Sequence, residues 1–157
     1  MDNAGLSDKM KKHFFQLLAE KQTNLETILS DLYDIPRKKG DNSMQFSFAT
    51  KLLHTIDNEK PIFDKEIESL TFSKPTRRGK QNQIRAYLEL YNDLEKLTVD
   101  LLENEKVKNV ILKFRLKFQD YNEQISDVKA LDFIMWSLGK INENKKKAIK
   151  KIEKNHQ

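Results

Sequence analysis

The feature that most constrains this chain is a long apolar period in its second half. After Lys80 the sequence has no proline and one glycine, Gly139, whereas the first half holds all three prolines and the other three glycines. Through residues 84–121, apolar side chains recur at spacings of three and four, which places them on one face of a helix. No segment alternates apolar and polar residues as a half-buried strand does. The sequence therefore predicts an all-α fold.

Breaks in the period divide the chain into about six helices. Ser7 is a suitable N-cap for a first helix that ends near Tyr33, because the stretch PRKKG brings a proline and a glycine soon afterwards. Beside its apolar stripe, the fifth helix carries Leu112 and Leu116, which suggests a central helix. Gly139 is a point at which the sixth helix can bend. The later helices are predicted over about 44–57, 62–70, 84–102, 107–121 and from residue 126 onward.

The composition fits one folded domain over residues 1–157, with a lysine-rich helical tail from about residue 141. The chain contains no cysteine, which excludes disulfides, thiolate metal sites and thiol nucleophiles. The N-terminus lacks the apolar core of a signal peptide, and no window reaches the ~18 apolar residues that a membrane-spanning helix needs. We therefore expect a soluble, cytoplasmic protein that does not enter a membrane.

The positive charge of the chain permits a polyanionic partner such as DNA. The net charge is +5, and the densest basic loop is SKPTRRGK, just before the fourth predicted helix. Arginine can hold a phosphate through two hydrogen bonds, and a helix start adds backbone donors. The predicted nucleic-acid contacts are therefore Arg77, Arg78, Lys80 and Arg85. A solvated surface loop is the alternative interpretation.

Two stretches carry a family resemblance. The first, QFSFATKLLHTIDNEKPIFDKEI at residues 45–67, places Lys51 in an apolar helix and Asp64 behind a Pro-Ile-Phe turn. The second, DFIMWSLGK, lies near the C-terminus. Together they resemble small, mostly uncharacterised bacterial proteins related to the helix-hairpin-helix DNA glycosylases of the 8-oxoguanine glycosylase-like fold. In those proteins a FASK-like helix precedes a PIYD-like turn, and a DFxLW helix follows.

The resemblance implies a catalytic pair. Lys51 is similar to the lysine that attacks the sugar in these glycosylases, and Asp64 to the aspartate that stabilises the positive charge on the sugar. An excised base must also leave the DNA stack, which calls for an apolar wedge. Residues that could supply the wedge are Phe46, Phe48, Phe63 and Trp136.

Several observations keep a second interpretation open. PRKKGDNSMQF has one glycine where the glycosylases have a glycine-rich hairpin that grips DNA, and Lys51 and Asp64 are only 13 positions apart. Lys51 also fits a helix flank from which the ammonium reaches water, and Asp64 fits a helix N-cap. The alternative is a non-enzymatic helical interaction protein that kept the fold without the chemistry, with a mobile element as one source.

The remaining polar and aromatic residues predict no further site. His54 is predicted on the face opposite the apolar stripe, and no two histidines share a ligand spacing, so we expect no metal and no other cofactor. Trp136 is predicted to be a core aromatic residue, as are Tyr87 and Tyr91.

Overall fold

The protein is helical throughout the part of the chain that its structure describes. The structure is a computed structural model that describes residues 5–119 and 125–155, with side chains as far as Lys147. These ranges contain no strand, which confirms the predicted all-α class, and they contain one helix more than predicted. The seven helices are α1 Asp8–Ala19, α2 Leu25–Tyr33, α3 Phe46–Ile56, α4 Lys65–Glu68, α5 Lys80–Glu103, α6 Glu105–Lys117 and α7 Asp127–Asn155.

The first predicted helix is in fact two helices, because the chain turns at Lys21. The backbone of Lys21 is left-handed, with φ of 51°, and its N–H donates to the Leu18 carbonyl at 3.1 Å. A left-handed residue in this position ends a helix, and glycine is the usual occupant. The next helix, α2, begins after Asn24, whose side chain accepts the Thr27 N–H at 3.0 Å. With no glycine or proline at the break, the sequence pattern did not reveal it.

The main core lies among α1, α2, α3 and the first half of α5. Phe46 is central to it: the rings of Phe63, Tyr87 and Tyr91 lie 5.2, 4.7 and 6.2 Å from its ring centre. This confirms that Tyr87 and Tyr91 are core residues. Phe46 and Phe63 are 2% and 0% exposed, so neither is placed to enter a DNA stack.

A second, smaller core joins α6 and α7. It consists of Ile111, Ala130 and Leu131, with partly buried neighbours around them. Of all the residues of α6, only Ile111 is buried. Leu112 and Leu116 are 55% and 66% exposed. The prediction of a central helix is therefore wrong, because α6 lies at the edge of the molecule and packs on one side only.

The last helix, α7, runs through Gly139 and lies directly against α4. A Cβ added at Gly139 would lie 2.7 Å from the backbone carbonyl oxygen of Glu66, closer than real Cβ contacts come. Two ion pairs join the same helices: Lys140 with Glu66, and Lys65 with Glu143 at 2.7 Å. The absence of a side chain at Gly139 thus allows the close approach of α7 to α4.

Candidate functional site

Lys51 lies on the exposed side of α3. Its ammonium donates a hydrogen bond to the Ser47 hydroxyl at 3.3 Å and lies 5.9 Å from the centre of the Phe48 ring. This is the geometry of a lysine whose aliphatic stem covers apolar surface while its charged end reaches water.

Asp64 is the N-cap of the short helix α4. Its carboxylate accepts the N–H groups of Glu66 and Ile67 at 3.0 and 3.1 Å. Burial raises the pKa of the Asp64 carboxyl; the hydrogen bond from Ile67 and the positive charge of Lys51 act in the opposite direction. Lys51 is thus within electrostatic range of Asp64, but the two side chains form no hydrogen bond or ion pair in the described structure.

Replacing Asp64 by asparagine should remove part of the pH dependence of stability. Because the pKa is raised from the ordinary value of 3.8, the folded protein binds this proton more tightly than the unfolded chain does. The contribution of Asp64 to the free energy of unfolding therefore falls as the pH rises above that value. Asparagine carries no charge and keeps the oxygen that caps α4.

The measurement is chemical denaturation of the wild type and of Asp64→Asn from about pH 3 to about pH 7. As the pH rises through this range, the free energy of unfolding of the wild type should fall relative to that of Asp64→Asn. Asp64→Ala, which also loses the cap, should be less stable than Asp64→Asn by about 1 kcal/mol. Parallel curves for the wild type and Asp64→Asn would contradict the raised pKa.

The basic loop before α5 contains lysines that are already ion-paired. Lys74 pairs with Glu68 at 2.7 Å. Lys80 donates to both carboxylate oxygens of Asp34, at 2.8 and 2.7 Å. A phosphate would have to compete with these carboxylates, so these two lysines are less available to an anion than unpaired lysines would be.

The arginines around the start of α5 are different. Arg77, Arg78 and Arg85 are exposed and have no ion pair within the described residues. Arg77 and Arg85 line a shallow hollow of about 280 Å³, although Glu89 lies in the same wall. Of the four predicted nucleic-acid contacts, Arg77 and Arg85 thus share one hollow, and Arg78 is exposed next to Arg77 in the chain.

A larger cavity lies elsewhere, between α6, α7 and the end of α3, and we call it the α6–α7 groove. It is open to solvent and has a volume of about 1010 Å³. Its aromatic and aliphatic lining comes chiefly from one face of α6 with its C-cap and one face of α7. The principal apolar residues are Val110, Phe114, Phe118, Phe133, Trp136 and Leu138.

Aromatic rings dominate the groove and are partly open to water. Phe114 lies 4.8 Å from Phe118 and 6.1 Å from Phe133, between ring centres. Phe118, Phe133 and Trp136 are 41%, 41% and 43% exposed. The prediction that Trp136 is a core residue is therefore wrong. Exposed apolar side chains that lie together in one groove form a candidate binding surface.

Every charged residue that lines the groove is a lysine: Lys113, Lys117 and Lys129. Lys113 and Lys117 have no ion pair in the part of the chain that the structure describes. The ammonium of Lys129 pairs with Asp132 at 3.0 Å and lies 4.7 Å from the Phe133 ring centre. The groove thus combines an apolar surface with positive charge and presents no described carboxylate.

His54 lies at the α3 end of the groove and is buried, although it was predicted on the face of α3 opposite the apolar stripe. It is 9% exposed, and its Nδ1 lies 2.6 Å from the Lys60 carbonyl oxygen. Because a carbonyl can only accept, Nδ1 is the donor in this hydrogen bond. A helical wheel assigns a residue to a face of the helix but does not show that the turn at Lys60 covers α3 on a second side.

Comparison of the chain with protein-family models, with curated proteins and with solved structures found no match. The relation to the glycosylases therefore stays a prediction. The two stretches that carry it do meet in the fold, since His54 from the first and Trp136 from the second line the same groove. Lys51 and Asp64 lie outside the lining of that groove.

Two structural observations bear on the predicted absence of metals and membranes. Among the described residues, no group of three or more histidine, aspartate or glutamate side chains is arranged to hold a metal ion. Within the same ranges, no helix combines the length and hydropathy needed to cross a bilayer.

Proposed function

We propose that the protein is a non-enzymatic binding protein whose α6–α7 groove docks an apolar helical segment of a partner protein. The observation that carries this proposal is the presence of three half-exposed aromatic rings, Phe118, Phe133 and Trp136, in one open groove. Aromatic anchors supply much of the energy of protein interfaces, and burying apolar area is worth about 25 cal/mol per Å². A groove between two helices suits the ridge of a third.

The surroundings of Lys51 lend less support to base excision. Schiff-base chemistry needs a neutral amine, which proteins obtain by burying the lysine or by placing another cation beside it. Lys51 is exposed, and the contacts of its ammonium are the Ser47 hydroxyl and the Phe48 ring. With duplex DNA containing abasic sites and borohydride, we expect no covalent adduct. An adduct that disappears in Lys51→Ala but persists in the exposed control Lys65→Ala would contradict the non-enzymatic proposal.

Binding in the groove can be followed through Trp136, the only tryptophan in the sequence. The probe is an uncharged amphipathic helical peptide of about 18 residues, or five turns. Saturation should shift the Trp136 emission to shorter wavelength, because the ring leaves water. Phe133→Ser should weaken peptide binding at least about tenfold, equivalent to about 1.4 kcal/mol, because it removes a central anchor.

Phe15→Ser is the matched control for this experiment. Phe15 is 54% exposed on α1 and does not line the groove, so the same chemical change is made at a comparable surface position. The control should bind the peptide as the wild type does. Equal weakening in both variants, or no change in Trp136 emission at saturation, would contradict docking in the groove.

A second candidate function is nucleic-acid binding through Arg77, Arg78 and Arg85, and it is favoured by their lack of ion pairs in the described structure. Arg77→Ala/Arg85→Ala should reduce the salt dependence of DNA affinity by about one unit of slope for each phosphate that is no longer bound. Lys145→Ala/Lys146→Ala removes the same charge from exposed positions of α7. Equal reductions in both double variants would contradict a specific arginine surface.

A further inference from the structure

We propose that the segment docked in the α6–α7 groove is an amphipathic helix with acidic residues beside its apolar stripe. This rests on the docking function proposed above and adds the chemistry of the partner. Its basis is charge complementarity: the charged side chains in the groove lining are Lys113, Lys117 and Lys129, and no described carboxylate joins them. A partner with an apolar stripe alone would leave the ammonium groups of Lys113 and Lys117 without counter-charges.

The spacing of the lysines on α6 matches the spacing of side chains on one face of a partner helix. Lys113 and Lys117 are four residues apart, so they follow one another along the same face of α6. Both are exposed and have no ion pair within the described residues. A helix lying along α6 with carboxylates four residues apart would repeat the same spacing of about 6 Å. Its apolar stripe would then face Phe118 and Phe133.

Lys129 contributes less to the choice of partner. Its ammonium is held between the carboxylate of Asp132 at 3.0 Å and the ring of Phe133. It is therefore already neutralised on the α7 side of the groove. Discrimination between acidic and uncharged partners should come from Lys113 and Lys117.

Two other occupants fit the groove less well. A second copy related by two-fold symmetry would place the same surface against itself, so that Lys113 and Lys117 would approach the equivalent lysines. A nucleic-acid strand would suit the lysines, but apart from them the side chains in the described lining that can hydrogen-bond base edges are His54, Asn58 and Ser137. The predominantly apolar lining favours a peptide.

The test compares two peptides of about 18 residues with an identical apolar stripe, one flanked by glutamate and one by glutamine. Binding to the full chain is measured through Trp136 emission at several salt concentrations. The glutamate peptide should bind about tenfold more tightly at low salt, and the difference should shrink as salt screens the charges. Lys113→Glu/Lys117→Glu should reverse the preference.

The control variant Lys145→Glu/Lys146→Glu has the same net charge but alters exposed positions of α7 outside the groove lining. It should keep the preference for the glutamate peptide. Loss of the preference in both double variants would attribute it to total charge and overturn the proposal. Equal binding of the two peptides by the wild type would overturn the acidic partner while leaving the docking function intact.

The remaining outcomes separate the two proposals. If neither peptide binds, the docking function fails together with the acidic partner. Binding of oligothymidylate that is abolished in Lys113→Glu/Lys117→Glu, with no peptide binding, would assign the groove to nucleic acid. A concentration-dependent dimer that shields Trp136 would assign it to a second copy. Either result overturns the proposal.

Discussion

Replacing Gly139 by alanine should destabilise the protein by about 1–3 kcal/mol, although alanine is the better helix former by about 1 kcal/mol. The reason is the approach of α7 to α4. The new Cβ would lie 2.7 Å from the Glu66 carbonyl oxygen and 2.9 Å from the Glu66 Cβ, and backbone atoms cannot move aside as a flexible side chain can. To relieve the overlap, α7 must move away from α4, which strains the ion pairs that join the two helices.

The control compares glycine with alanine at an exposed position of the same helix. Asn144 is exposed, so Asn144→Ala should be more stable than Asn144→Gly by about 1 kcal/mol, as helix propensity requires. At position 139 the order should be inverted, with glycine the more stable residue. Denaturant titrations of the four proteins measure this directly. A Gly139→Ala variant as stable as the wild type, or more stable, would contradict the close approach.

The second large effect is expected at Thr50, whose hydroxyl supports the Pro-Ile-Phe turn. Thr50 and Phe63 are both 0% exposed, and the Thr50 hydroxyl accepts the Phe63 N–H at 3.1 Å. Thr50→Val has nearly the same shape but leaves this buried N–H without an acceptor. The substitution should lower the free energy of unfolding by about 1–3 kcal/mol.

Thr98→Val is the matched control for Thr50→Val. Thr98 is also buried, at 7% exposed, but its hydroxyl donates to the Leu94 carbonyl one turn earlier in its own helix at 2.8 Å. The Leu94 carbonyl also accepts the backbone N–H of Thr98, as in any α-helix. Removing the hydroxyl therefore leaves no buried group without a hydrogen-bond partner. We expect a change within about 0.5 kcal/mol. Similar losses of stability at both threonines would attribute the effect to the change of side chain, and not to the turn.

Local signals predicted the helices well where the sequence contains a cap or a breaker. Ser7 accepts the Met10 N–H at 3.3 Å as the N-cap of α1, and α7 begins within one residue of the predicted Ser126. The break between α1 and α2 was missed because Lys21 adopts a conformation that glycine normally supplies. Caps are read from residue types, so an unusual residue at a cap hides the end of a helix.

Burial was harder to predict, because a periodic stripe identifies an apolar face but not what covers it. On α6, Ile111 faces the second core, whereas Val110 and Phe118 face the groove. Both sets belong to the same apolar pattern. With Leu112 and Leu116 included, α6 has more apolar residues than a single buried face of the helix can hold. Interpreting that excess as a central helix was the error, because Leu112 and Leu116 are exposed.

The catalytic hypothesis was based on residue types and their spacing. Spacing does not reveal how the side chains are arranged, because packing determines that arrangement. Lys51 and Asp64 come from adjacent elements and interact electrostatically, but each has a simpler local role, at a helix flank and at a helix cap. The groove joins the same two stretches through different residues, His54 and Trp136. The sequence therefore indicated which two stretches come together, but it did not indicate which of their side chains line the groove.

The central claim, that the α6–α7 groove is an open docking site, is tested most directly by collisional quenching of Trp136. In the free protein the ring is 43% exposed, and it shares the groove with Lys113 and Lys117, which have no ion pair in the described structure. Iodide should therefore quench Trp136 efficiently, and more strongly than caesium at low salt. Saturation with the glutamate-flanked peptide should protect the ring from both ions. A Trp136 that is shielded in the free protein, or that stays fully quenchable at saturation, would contradict the claim.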